Sequence, residues 1–158
     1  MRITVHSVAG KMPRWVEDAV HEYSKRLPRE LALTWRDVPL ANRGAGKSSD
    51  GAGYKQKEGM ALLKGVRDGE HCVALDGRGK PWTTEDLASQ LERWMMQGQA
   101  LNFLIGGPDG LSEECLNGAQ QRWSLGPLTL PHPLVRVVLV EQLYRAWTVT
   151  TGHPYHRA

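Results

Sequence analysis

Leu101-Asn-Phe-Leu-Ile-Gly-Gly-Pro-Asp-Gly-Leu-Ser-Glu-Glu-Cys115 decides the fold. Leu101 to Ile105 reads as a buried strand, the Gly106 to Gly110 run breaks it, and Ser112 caps a new helix whose first turn carries Glu113 and Glu114 at the positive end of its dipole. A strand that turns directly into a helix is the building unit of an α/β sheet.

The same alternation extends in both directions. Upstream, Cys72 to Leu75 reads as a short buried strand broken by Asp76 to Pro81. A helix follows, with Thr83 and Asp86 as a capping box and Leu87, Leu91, Trp94 and Met95 at helical spacing. Tyr54 to about Arg67 is helical, with Met60, Leu62, Leu63 and Val66 inward, and Leu31 to Val38 and Ile3 to Ala9 are strands. Between those two strands, Pro13 opens a helix to about residue 26, with Trp15, Val16, Ala19, Val20, Tyr23 and Leu27 giving an apolar face. Downstream, the helix begun at Ser112 is expected to run to about Arg122. A proline-rich crossing from Leu125 to Pro133, strand-like near Leu128 to Leu130, then leads into a last long helix from Pro133 to Thr150. The expectation is one α/β domain over residues 1–158, a mainly parallel sheet flanked by helices.

Composition agrees with that class. Of 158 residues, 41% are hydrophobic and 23% charged, which argues against a disordered or fibrous chain. Apolar runs such as Val137 to Val140 fall far short of the roughly 20 residues a membrane helix needs. His6 and Ser7 interrupt the N-terminal apolar stretch, so no secretory signal is read and the expected location is the cytoplasm. Cys72 and Cys115 lack metal or disulfide spacing and read as reduced, apolar side chains. The net charge of +3 is uneven: residues 1–115 balance sixteen basic against sixteen acidic side chains, whereas residues 116–158 hold four arginines against Glu141 alone. Arginine without lysine suits phosphate and base contacts, so a polyanionic partner is indicated at the C-terminal end.

Ligands of parallel sheets bind beyond the carboxyl ends of the strands, which selects the loops after Leu75 and Ile105 and the segment near Leu128 to Leu130. Gly106 to Gly110 suits either a backbone cradle for a ligand or a tight turn without one. In the cradle, a branched side chain at Gly107 would occupy ligand space. Leu125 to Leu134 suits either an adenine pocket with main-chain polar groups or a core-packing loop. Gly44-Ala-Gly-Lys-Ser48 lacks the leading glycine and the following helix of a phosphate-binding loop, so Asn42 to Gly53 reads as a mobile loop. The tail, Gly152-His-Pro-Tyr-His-Arg-Ala158, is dense in groups that stack on bases and bind phosphate.

Taken in order, Ile105-Gly-Gly-Pro-Asp-Gly-Leu111, Trp123-Ser-Leu, Leu128-Thr-Leu-Pro-His-Pro-Leu-Val-Arg136, Glu141-Gln-Leu-Tyr-Arg-Ala-Trp147 and His153-Pro-Tyr-His-Arg157 closely resemble the RlmH family. These are bacterial large-subunit ribosomal RNA methyltransferases of the SPOUT class. Lys11-Met-Pro, Leu75-Asp76 and Gly79-Lys-Pro-Trp82 extend the resemblance over nearly the whole chain, while the 42–53 loop is more glycine-rich than is usual in the family. The resemblance implies a SPOUT-type fold with a C-terminal trefoil knot, a homodimer, and S-adenosylmethionine as cofactor without a metal. It also implies methylation of N3 of a pseudouridine in 23S rRNA within assembled ribosomes. Carried onto this sequence, the cofactor positions are Leu75, Gly107, Gly126, Pro127, Leu128, Thr129, Leu130 and Pro131. For the chemistry, His156 is the candidate base, Arg145 or Arg157 the cation beside a developing ring anion, Tyr155 a stacking or hydrogen-bonding group, and Glu141 an orienter of arginine. The alternatives are a non-enzymatic RNA-binding protein using the same basic surface and a nucleotide-binding protein using Gly44 to Ser48.

Overall fold

Five strands form one sheet in the computed structural model, which describes residues 1–42 and 51–157. They are β1 (Ile3–Val8), β2 (Leu33–Val38), β3 (His71–Pro81), β4 (Leu101–Ile105) and β5 (Gln121–Ser124), in the order β2-β1-β4-β3-β5, and every pairing is parallel. The helices are α1 (Arg14–Ser24), α2 (Gly51–Leu63), α3 (Thr84–Gln97), α4 (Glu113–Gly118) and α5 (His132–Thr151).

Period-two alternation sorts the strand side chains into two cores. Val73, Phe103, Ile105 and Trp123 face one side, where Leu87, Leu91 and Trp94 of α3 and Leu139, Leu143 and Ala146 of α5 cover them. Cys72, Ala74 and Leu104 face the other, against Leu62 of α2 and Cys115 and Leu116 of α4. All residues of β4 are buried, as a central parallel strand with both faces covered requires. The expected α/β class and parallel sheet are therefore present. The capping box is present too: the Thr83 hydroxyl accepts from the Asp86 amide and the Asp86 carboxylate accepts from the Thr83 amide, each at 3.0 Å.

Five local expectations need correction. Met60, expected inward on α2, is 55% exposed. The helix begun at Ser112 ends at Gly118, and residues expected to continue it form the edge strand β5, whose Trp123 side chain enters the core. Leu128 to Leu130 is not a strand, because Pro127 and Pro131 flank it and Leu128 is 79% exposed. The strand expected to stop at Leu75 continues to Pro81, shifting register between Leu75 and Lys80 to pair with Trp123 and Ser124. Finally, Gly51 to Gly53 belong to α2 rather than to a loop, while residues 43–50, including the whole Gly44 to Ser48 motif, lie outside the described residues.

Candidate functional site

The carboxyl ends of β1 and β4 and the irregular stretch of β3 after Leu75 open on one cleft of about 760 Å³, at the carboxyl edge of the sheet. Its floor comes from Val8 to Gly10, its sides from Leu75 to Gly77 and Ile105 to Pro108, and its roof from the uninterrupted run Leu125 to His132. All eight residues assigned to the cofactor line this space: Leu75, Gly107, Gly126, Pro127, Leu128, Thr129, Leu130 and Pro131. Sequence reasoning missed Val8, Ala9, Gly10, Met12 and Leu40, while His132 falls in the Leu125 to Leu134 stretch weighed as an adenine pocket. The strand-end rule itself could have found the β1 and β2 members, had it been applied to those strands as well.

The proline-rich roof has a local cause. Gly126 adopts φ +126°, a conformation that L side chains rarely take, and Ser124 Oγ accepts from its amide at 3.2 Å, so the chain leaves β5 sharply. Pro127 and Pro131 then keep the run out of helix and sheet, leaving main-chain groups and apolar side chains together along the cleft. A Cβ at Gly10, Gly77 or Gly126 would meet no atom of the described residues within 4 Å, so among these residues the cleft-lining glycines leave open room. Apolar walls of Leu75, Ile105 and Val135 with nearby backbone donors and the Asp76 carboxylate suit a nucleoside bearing a thioether or sulfonium.

Gly107 is constrained differently from the sequence expectation. A Cβ there would lie 3.0 Å from Val8 Cγ1 and 3.1 Å from Glu58 Oε1, directed into packed structure rather than into ligand space. Glu58 is 3% exposed, and its Oε2 accepts from the Ala41 amide at 2.9 Å. One buried carboxylate thus spans from the segment after β2 to the turn after β4. That turn is closed by the Gly110 amide donating to the Gly107 carbonyl at 3.0 Å.

The candidate chemical residues gather elsewhere. Glu141 Oε1 accepts from Arg145 Nη2 at 2.7 Å and from the Tyr155 hydroxyl at 3.2 Å, and the Arg145 guanidinium carbon lies 4.9 Å from the Tyr155 ring centre. The Glu141 hydrogen bond holds the Arg145 pKa above its ordinary value. Burial, then the Glu141 charge, pushes the Tyr155 phenol up to about 12. His153 caps the short turn Pro154–His156 by accepting from the Tyr155 amide at 3.1 Å. His156 Nδ1 is buried with no hydrogen-bond partner among the described residues, and Arg157 is exposed. These groups do not meet the chain's own cleft. His132 lines the cleft at the start of α5, whereas Glu141 and Arg145 lie roughly 14 and 20 Å further along a helix rising about 1.5 Å per residue.

Residues 1–156 match the family described as "Predicted SPOUT methyltransferase". Proteins named "Ribosomal RNA large subunit methyltransferase H" are similar over 99% of this chain and 100% of their own length: 52% identical in Pseudomonas putida (strain W619) and 53% in Pseudomonas fluorescens (strain Pf-5). Two solved structures share the fold. A putative methylase family protein from Neisseria gonorrhoeae gives a TM-score of 0.57 at 14% identity, covering 90% of this chain and 81% of that one. A probable methylase family protein from Haemophilus influenzae gives 0.55 at 11% identity, covering 99% of this chain and 70% of that one.

Proposed function

The chain belongs to the SPOUT methyltransferase family, and from that premise we propose that it methylates N3 of a pseudouridine in the 23S rRNA of assembled ribosomes, using S-adenosylmethionine. The observation that carries this is the cleft where Leu75, Gly107 and Gly126 to Pro131 converge. Its room, apolar walls and exposed main chain fit the cofactor, which supplies a methyl group already activated on a sulfonium. The protein's part is then alignment and removal of the N3 proton. No metal enters the scheme.

His156 accepts the N3 proton, and the Arg145 and Arg157 guanidiniums offset the charge that develops on the ring. Tyr155 is a neutral phenol at physiological pH, as an ordinary tyrosine is, and serves by stacking and by donating to Glu141. Glu141 fixes the Arg145 fork through its i,i+4 ion pair.

A homodimer belongs to the same proposal. The tail and the cleft of one chain are separated along α5, so a partner's tail has to reach the cleft for the two to act on one base. Leu40 and Leu128, both at the cleft, are 43% and 79% exposed and offer apolar surface to a partner. The C-terminal trefoil knot and a cytoplasmic location complete the reading. In support of the latter, no helix among the described residues is long and apolar enough to cross a membrane.

Incubating purified protein with methyl-labelled S-adenosylmethionine and ribosomes lacking the modification tests the proposal. Label at N3 of one pseudouridine in 23S rRNA is expected. Ribosome binding without transfer would replace it with the non-enzymatic RNA-binding alternative.

A further inference from the structure

Arg26 leaves the end of α1 at a point that its backbone fixes. Beyond Ser24 the chain continues in tight turns, with the Arg26 amide donating to the Tyr23 carbonyl and the Leu27 amide to the Ser24 carbonyl, each at 3.1 Å. Leu27 packs against the core that α5 covers. From there the Arg26 guanidinium faces three tyrosines: its central carbon lies 5.2 Å from the ring centre of Tyr23, 5.8 Å from that of Tyr144 and 5.9 Å from that of Tyr155. All three distances are within the reach of a cation–π contact. Glu22, one turn back on α1, accepts from Arg26 Nη2 at 2.9 Å and steers the fork.

The tail returns to meet it. Gly152, at φ +73°, ends α5 in the left-handed region, and the His153 amide donates to the Thr148 carbonyl at 3.0 Å, so the Pro154–His156 turn folds back on α5. Tyr155 then lands on Tyr144, with ring centres 4.6 Å apart, its hydroxyl on Glu141 and the Arg145 guanidinium carbon 4.9 Å from its own ring centre. Two arginines thus approach one ring, each held by a carboxylate: Arg145 by Glu141 within α5, and Arg26 by Glu22 within α1. Arg26 brings a second helix onto the tail. We propose that Arg26 is a positioning residue for methyl transfer: it closes a seat of the Tyr23, Tyr144 and Tyr155 rings that holds the tail turn against α5, and so sets where His156 and Arg157 stand when they act. The inference rests on the reading of the tail as the bearer of the transfer chemistry.

Lys25 supplies the internal comparison. It shares the Glu22 carboxylate at 2.7 Å, yet it lies over no aromatic ring among the described residues. The two neighbouring cations are therefore alike as partners of Glu22 and as charges offered to RNA, and they differ in the tyrosines. That difference separates a seat from a surface charge. The Arg26 side chain is 37% exposed, so its loss should loosen the tail without unfolding the domain. A small displacement of reacting groups lowers turnover far more than it changes binding.

Two measurements decide this. Chymotrypsin cuts after Tyr155 when the turn opens, so loss of His156 to Ala158, followed by intact mass in ligand-free protein, reports the open population. Arg26→Met, which keeps the aliphatic stem and loses the cation, should raise that rate about fivefold, the scale of one exposed cation–π contact. Arg26→Lys should raise it less, and Lys25→Met should leave it within about twofold of wild type. With ribosomes lacking the modification as substrate, Arg26→Met should lower kcat about fivefold while the ribosome KM and S-adenosylhomocysteine affinity stay within about twofold. Arg26→Lys should recover most of the wild-type kcat, and Lys25→Met should keep it. Equal cleavage rates for wild type and Arg26→Met, or equal losses in Arg26→Met and Lys25→Met, would overturn the proposal. A change confined to KM would overturn it too, by making Arg26 an RNA contact. Should the wild type transfer no methyl group to ribosomes, the reading of the tail as catalytic falls, while the cleavage rates still decide the seat by themselves.

Discussion

An arginine decides the tautomer of His6. Arg36 approaches His6 Nδ1 at 3.1 Å, so Nδ1 is the acceptor and Nε2–H donates to Asn102 Oδ1 at 2.7 Å. Burial is the largest cause holding the His6 pKa below 6.5. The unfolded chain therefore takes up protons first as pH falls. Stability is full above about 6.5 and declines as pH drops below it toward the folded-state pKa, with His132 adding in the same direction. The urea midpoint should be lower at pH 5.5 than at 7.5, and His6→Gln should flatten that slope. An unchanged slope would remove His6 as its source. The two cysteines, read from spacing as inert apolar side chains, are both buried, and burial pushes the Cys72 thiol up to about 12. Ellman's reagent at pH 8 should accordingly find no reactive thiol in native protein and both in denaturant. Gly107→Ala should destabilise the fold by about 1–3 kcal/mol through overpacking on Val8 and Glu58, measured by urea denaturation. That a glycine turn follows β4 was legible in the sequence. The packing of Glu58 beside Gly107 was not, because Glu58 comes from a helix distant in sequence.

Elements were legible wherever local chemistry agreed with burial. Thr83 and Asp86 announce the start of α3 through a capping box that forms as expected. Thr83→Ala should lower stability by about 1 kcal/mol, again read from urea denaturation. A loss indistinguishable from zero would show that packing alone fixes this helix end. β5 was hidden for a physical reason: it is a four-residue edge strand whose only buried side chains are Trp123 and Ser124, too short for alternation to stand out from the helix before it. The continuation of β3 through Asp76 to Pro81 was hidden as well, because Gly77, Gly79 and Pro81 are turn residues locally. Gly79 is required here by close approach, since a Cβ would come within 2.7 Å of the Arg122 backbone. The roof of the cleft was placed by its prolines, but its Leu128 to Leu130 stretch was expected to be strand-like, an expectation that Pro127 and Pro131 on either side defeat.

At the scale of the whole molecule, the strand-end rule located the cleft and the resemblance supplied the tail, but their separation within one chain became visible only in three dimensions. Tyr155 packs 4.6 Å from the Tyr144 ring centre and reaches back along α5 only as far as Glu141. Deleting residues 155–158 should therefore leave S-adenosylhomocysteine affinity within about twofold of wild type, a small change on the scale of RT, and abolish methyl transfer. A cofactor-dead deletion would mean that the tail supports its own cleft. The most direct test of the shared site mixes two inactive subunits, one lacking residues 155–158 and one whose cleft is blocked at Gly77 by a large side chain. If one subunit's tail acts over its partner's cleft, heterodimers of the two should recover about one working site of the two in a wild-type dimer. Verified heterodimers that stay inactive, beside wild-type dimers reassembled in the same way and fully active, would contradict it.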